Sequence, residues 1–167
     1  MTSKGRRKGR TENGPNRIRV FDRKQIATIL GIAPAVVRNW STGKPFKITP
    51  SVRAPGKRGA ANLYRLEDVY LFGIANELVS GWLGPGIIEV LLENLPTDLS
   101  NNRGYLLWRL FGSTKPWEIV ALPGPLRVQG TGRLLPGATL TCFFDYGGVL
   151  NKIDRRIAKL EKEGKLS

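Results

Sequence analysis

Residues 23–65 read RKQIATILGIAPAVVRNWSTGKPFKITPSVRAPGKRGAANLYR, and this stretch decides the fold. It holds nine Lys or Arg (Arg23, Lys24, Arg38, Lys44, Lys47, Arg53, Lys57, Arg58 and Arg65) and no Asp or Glu. Just before it, Asp22 reads as a helix N-cap, with Gln25 as the reciprocal partner of a capping box. Ile26, Ile29 and Leu30 fall at i, i+3 and i+4, the spacing of one buried helical face. Gly31 supplies a sharp turn, because glycine takes a positive φ cheaply. Pro34 suits the first turn of a second helix, where its missing N–H is no loss. Val36, Val37 and Trp40 give that helix an apolar side, while Arg38 and Asn39 project elsewhere. Two short helices across a glycine turn make the helix-turn-helix pattern.

In that pattern the second helix faces the major groove of a duplex with its N-terminal residues. Here those residues are Ala33, Pro34 and Ala35, none of which can make a bidentate contact to a base edge. Arg38 is placed for a phosphate, and Asn39 for a base edge or a phosphate. Trp40 reads as a core aromatic in preference to a nucleic-acid contact. Further on, Phe46 and Ile48 are expected to pair with Leu63 and Tyr64 as two short strands around residues 51–62, with Lys57 and Arg58 at the tip. Such a basic wing suits a groove and its phosphates. The GKRG within it lacks the spacing of a Walker loop and follows no strand, so it is not a nucleotide cradle.

Upstream, residues 1–19 carry seven Lys or Arg, Lys4, Arg6, Arg7, Lys8 and Arg10 among them, against the single acid Glu12. With almost nothing apolar to bury, this reads as a flexible basic tail, able to follow a phosphate backbone or to serve solubility alone. The whole chain has 167 residues and a formal charge of +14, which points to a polyanionic partner because each neutralised phosphate releases counterions. A hydrophobic content of 41% speaks for a folded core. Cys142 is alone and histidine is absent, so an internal disulfide and a Cys/His zinc set are excluded. No apolar run reaches the roughly 18–20 residues that a membrane-spanning helix needs, and the expected setting is cytoplasmic, at the nucleoid.

Downstream, Val69, Leu71, Phe72, Ile74, Ala75 and Leu78 form a broad helical face closed by Gly81. Gly84-Pro85-Gly86 starts another helix burying Ile87, Ile88, Leu91 and Leu92. NRGYLLWRLF (102–111) reads as a short helix with Leu106, Leu107, Leu110 and Phe111 buried. Residues 117–122 and 138–144 read as strands, with 126–129 a third, giving a small antiparallel sheet. That sheet serves as a spacer or dimer contact more readily than as an effector pocket, since no convergent polar groups mark it. In the last segment Leu150, Ile153, Ile157 and Leu160 make an apolar stripe over about two heptads. The stripe either packs on its own domain or pairs with a second copy.

The order of these features resembles the MerR-type winged-helix regulators over roughly residues 20–95. The resemblance is carried by Gly31-Ile32, Val37-Arg38-Asn39-Trp40, Tyr64 with Asp68, and Gly81-Trp82 through Ile87. Asn39 and Ala33 depart from the family's usual aromatic and hydroxyl residues, and Asn62 from its usual Arg. The resemblance implies a homodimer on a palindromic operator, pairing through the terminal helix. By charge and placement Arg23, Lys24, Arg38, Asn39, Lys44, Lys47, Arg53, Lys57, Arg58, Tyr64 and Arg65 are expected toward DNA.

The expected fold is α+β, mainly α. A basic tail (1–19) precedes a winged helix-turn-helix domain (20–95), a small helix and sheet region (96–148) and a C-terminal dimerisation helix (149–167). The expected function is a dimeric, sequence-preferring regulator of transcription bound to double-stranded DNA. A DNA-architectural or recombination accessory is the alternative, and a ribonucleoprotein component a second. The acids are scattered and no serine lies in a nucleophile motif, so a non-enzyme without cofactor is expected. Cys142, in the strand-like TCFF, is expected to be a buried, inert thiol.

Overall fold

The computed structural model describes residues 19–52, 62–81, 83–110, 118–123 and 140–166. Their fold is α+β and mainly α, with five helices and two small antiparallel sheets among the described residues. The first sheet pairs β1 (Val20–Phe21) with β2 (Tyr64–Arg65). Helices α1 (Arg23–Leu30) and α2 (Pro34–Ser41) lie between those strands in sequence, and α3 (Leu66–Ser80) and α4 (Pro85–Glu93) follow. The second sheet has the order β4-β3-β5, built from β3 (Gly104–Leu110), β4 (Glu118–Pro123) and β5 (Leu140–Phe144). Helix α5 (Tyr146–Lys162) ends the described fold.

Local chemistry accounts for the helix boundaries. Asp22 accepts from the Gln25 N–H at 2.8 Å, and the Gln25 side chain accepts from the Asp22 N–H at 2.9 Å, closing the capping box. Gly31 turns the chain out of α1 at φ 70°, and its N–H bonds the Ala27 carbonyl. Pro34 and Pro85 stand in the first turns of α2 and α4. Asp145 caps α5 by accepting from the Gly148 N–H at 2.7 Å.

One core runs from Phe21 to Leu166. Trp40 is buried in it, 4.9 Å from the Phe46 ring and stacked at 6.2 Å on Phe72. Gly73 on α3 stands where α5 crosses it. A Cβ there would overlap the Ile153 Cδ1 and lie 3.3 Å from the Leu30 Cδ2, so glycine sets how closely the two helices approach. Leu150, Ile153, Ile157 and Leu160 are all buried on the chain's own α1 and α3. Their assignment to a dimer seam is therefore corrected. The 3-4-3 stripe is filled from within the chain, and pairing of two copies requires another surface.

Three further expectations change. Residues 104–110 form a strand, not a helix, because β3 is the middle strand and pairs on both sides, with β4 and with β5. Phe46 and Ile48 are buried but lie outside any strand. Val52 forms the bridge to Leu63, while Phe21 is the partner of Tyr64. In α4 only Ile88 and Leu91 are fully buried, with Ile87 and Leu92 half-buried. Residues 126–129 lie outside the described residues.

A half-buried polar cluster ties the last helix to the centre. The Tyr70 hydroxyl on α3 donates to Asp154 Oδ1 at 2.6 Å, and Arg103 Nη2, just before β3, donates to Asp154 Oδ2 at 2.8 Å. The Arg103 guanidinium also lies 5.3 Å from the Tyr70 ring centroid. Burial, and then the bond to Asp154, push the Tyr70 phenol up to about 12.

Candidate nucleic-acid interface

Helices α1 and α2 and the segments flanking them carry the first cations. Arg23 and Lys24 are exposed in the first turn of α1, a placement that the helix dipole disfavours unless an anion approaches. Arg38 and Asn39 are exposed on α2, and Lys44 and Lys47 on the segment after it. Arg65 is exposed at the end of β2. Among the described residues no carboxylate lies within ion-pair distance of these six cations. The described cations of the acid-free sequence are thus exposed and without a carboxylate partner among the described residues. Ala33, Pro34 and Ala35 are exposed at the leading end of α2, and no side chain caps it.

Tyr64 is not part of that surface. Its side chain is 1% exposed, its hydroxyl lies 2.9 Å from Ser41 Oγ, and its ring meets Phe72 edge-on at 5.6 Å. This corrects its expected place at the nucleic acid, since a ring packed between α2 and α3 cannot leave without opening the core. Arg53, Lys57, Arg58 and the tail residues Lys4, Arg6, Arg7, Lys8 and Arg10 lie outside the described residues.

The two ends of the basic loop are described, and they are held together by one carboxylate. Val52 bridges Leu63 in antiparallel fashion. Directly beside this bridge, Asp68 Oδ2 accepts from the Ser51 N–H at 3.0 Å, the Ser51 hydroxyl at 2.6 Å and the Arg65 N–H at 2.8 Å. Asp68 is 3% exposed, in the first turn of α3, where the helix N-terminus favours a negative charge. Three donors and the dipole satisfy a carboxylate that has no cationic partner among the described residues. Sequence reasoning noted Asp68 by its spacing from Tyr64 but missed its work. The only local signal was an acid at the third position of a helix.

Other candidate chemistry stays sparse. Cys142 is a free, half-buried thiol on β5 opposite Trp108, rather than fully buried. Among the described residues no three His, Cys, Asp or Glu side chains gather as a metal-ligand set, and no helix is long and apolar enough to cross a membrane.

Compared with known proteins, the chain matches no protein-family model, and no curated protein matches it in sequence.

Proposed function

We propose that the protein binds double-stranded DNA as a winged helix-turn-helix regulator of transcription, similar in plan to the MerR type. The observation that supports this reading is the exposed set Arg23, Lys24, Arg38, Lys44, Lys47 and Arg65, without a carboxylate partner among the described residues and carried by α1, α2, the segment after it and β2. Helix α2 takes the groove, the first turn of α1 and Arg38 take phosphates, and the loop pinned by Asp68 takes the flanking backbone.

One feature favours a second reading, an architectural DNA protein of weak sequence preference. The exposed leading end of α2 offers Ala33, Pro34 and Ala35, so DNA shape and backbone contacts carry more of the binding than base edges. A titration of labelled duplexes against excess competitor separates the two. A site preferred at least about tenfold over random duplex supports the regulator, and strong bending without such a preference supports the architectural role. Replacing Arg38 and Lys44 with Gln should weaken binding to all duplexes and lower the slope of log affinity against log salt by about two units. No binding to duplex DNA at moderate salt would overturn both readings.

A further inference from the structure

The apolar face of α5 is filled by the chain's own core, which leaves its opposite face to be explained. With 3.6 residues per turn, Lys152, Arg155, Arg156, Lys159 and Lys162 fall within an arc of about 120° on the side away from Leu150 and Ile157. All five are exposed. Two acids of the same segment are turned to other partners, and the third, Glu163, stands at the end of this face. Asp154 receives Arg103 and Tyr70, Glu161 binds Arg19 at 2.6 Å, and Glu163 binds Lys165 at 2.7 Å. Lys152 is paired with Glu77 at 2.7 Å and Lys159 lies 3.9 Å from Glu163, whereas Arg155, Arg156 and Lys162 have no carboxylate partner among the described residues.

This face borders an open groove of about 800 Å³, lined among the described residues by Lys152, Arg155, Arg156 and Lys159 with Glu163 as its one acid. It also adjoins the helix pair. A Cβ placed on Gly31 would lie 3.1 Å from Arg156 Nη2, so the Arg156 guanidinium rests against the turn between α1 and α2. Arg156 thus brings the cationic face of α5 up to the turn that leads into α2.

We infer that this face of α5 is a second phosphate-binding surface, which holds the backbone of the same DNA duplex beyond the part engaged by α2. The inference rests on the DNA-binding reading above. The chemistry fits a polyphosphate strand, because the cations repeat along the helix over about 15 Å without converging on one point. Arginine dominates the unpaired positions, and its planar fork suits phosphate oxygens. The five-residue basic face also assigns a use to α5 that its apolar stripe does not reveal.

The test uses the full chain and a labelled random-sequence duplex, titrated by anisotropy between roughly 50 and 200 mM salt. Arg155→Gln with Lys159→Gln removes two exposed cations. Adding Arg156→Gln removes a third, and the double variant guards against an effect of Arg156 on the turn. Slopes reduced by about two and about three units, with unchanged circular dichroism, are the expected result. If both variants keep the wild-type slope while Arg38→Gln with Lys44→Gln lowers it, the α5 surface is overturned and the DNA-binding reading stands. If the wild type does not bind the duplex, both fall. If the α5 variants lose binding to phosphatidylserine vesicles but keep the wild-type DNA slope, the face belongs to a membrane surface and the inference is overturned.

Discussion

Asp68 and Tyr70 sit two residues apart on α3 and are held by different partners. Asp68 is accommodated inside because three donors reach one of its oxygens. Asp68→Ala removes all three bonds and strands the donors of Ser51 and Arg65. The expected loss is about 2–4 kcal/mol, since three hydrogen bonds go at roughly 0.5–1.5 kcal/mol each. Urea unfolding checks it, and Asp68→Asn should recover part of the loss. Tyr70 keeps its proton. Its phenol ionises near 10 when unfolded and about 12 when folded, so the stability it lends is complete below pH 10 and is lost as pH rises through 12. Tyr70→Phe should flatten the fall in melting temperature over that window, at the cost of its bond to Asp154 at neutral pH. An alkaline slope identical to wild type would show that Tyr70 does not set it.

At the scale of elements, the contact between α3 and α5 depends on a missing side chain. Gly73→Ala puts a methyl group into the Ile153 Cδ1, with Leu30 close on the other side. Overpacking of this kind costs about 1–3 kcal/mol. Ile153→Val deletes the offending methyl, so the double variant should be more stable than the sum of the single changes predicts, a coupling that a double-mutant cycle in urea measures. Strict additivity would mean that the two side chains do not meet.

The same elements show what can be read from a sequence and what cannot. The Asp22 and Gln25 box, the Gly31 turn and the prolines of α2 and α4 are legible because cap and partner lie within a few residues. Strand β3 is not. A strand flanked on both sides need not alternate apolar and polar residues, and the apolar positions 106, 107, 110 and 111 match a helical face equally well. The stripe on α5 is visible as a stripe, but spacing cannot say whether its partner is the same chain or another. The Tyr70, Asp154 and Arg103 cluster joins residues up to 84 positions apart and leaves no local signature. In the candidate interface the cations were legible as charge, whereas the Asp68 latch and the nearness of Arg156 to Gly31 depend on tertiary placement.

For the whole molecule the decisive fact is where α5 packs. Burying Leu150, Ile153, Ile157 and Leu160 contributes about 6–12 kcal/mol at the usual value for an aliphatic side chain. A domain of this size has roughly 5–15 kcal/mol in total. A chain ended after Asp145 should therefore lose cooperative unfolding, as seen by circular dichroism on heating. Retention of a sharp transition would show that α1 to α4 stand without α5.

That dependence has a bearing on the order of events during synthesis. The chain leaves the ribosome with α1 and α2 first, yet the residues that complete their core come more than a hundred positions later. Until α5 has emerged, the apolar sides of α1 and α3 lack their cover, so the first helices made wait on a helix more than a hundred positions later before their core is closed.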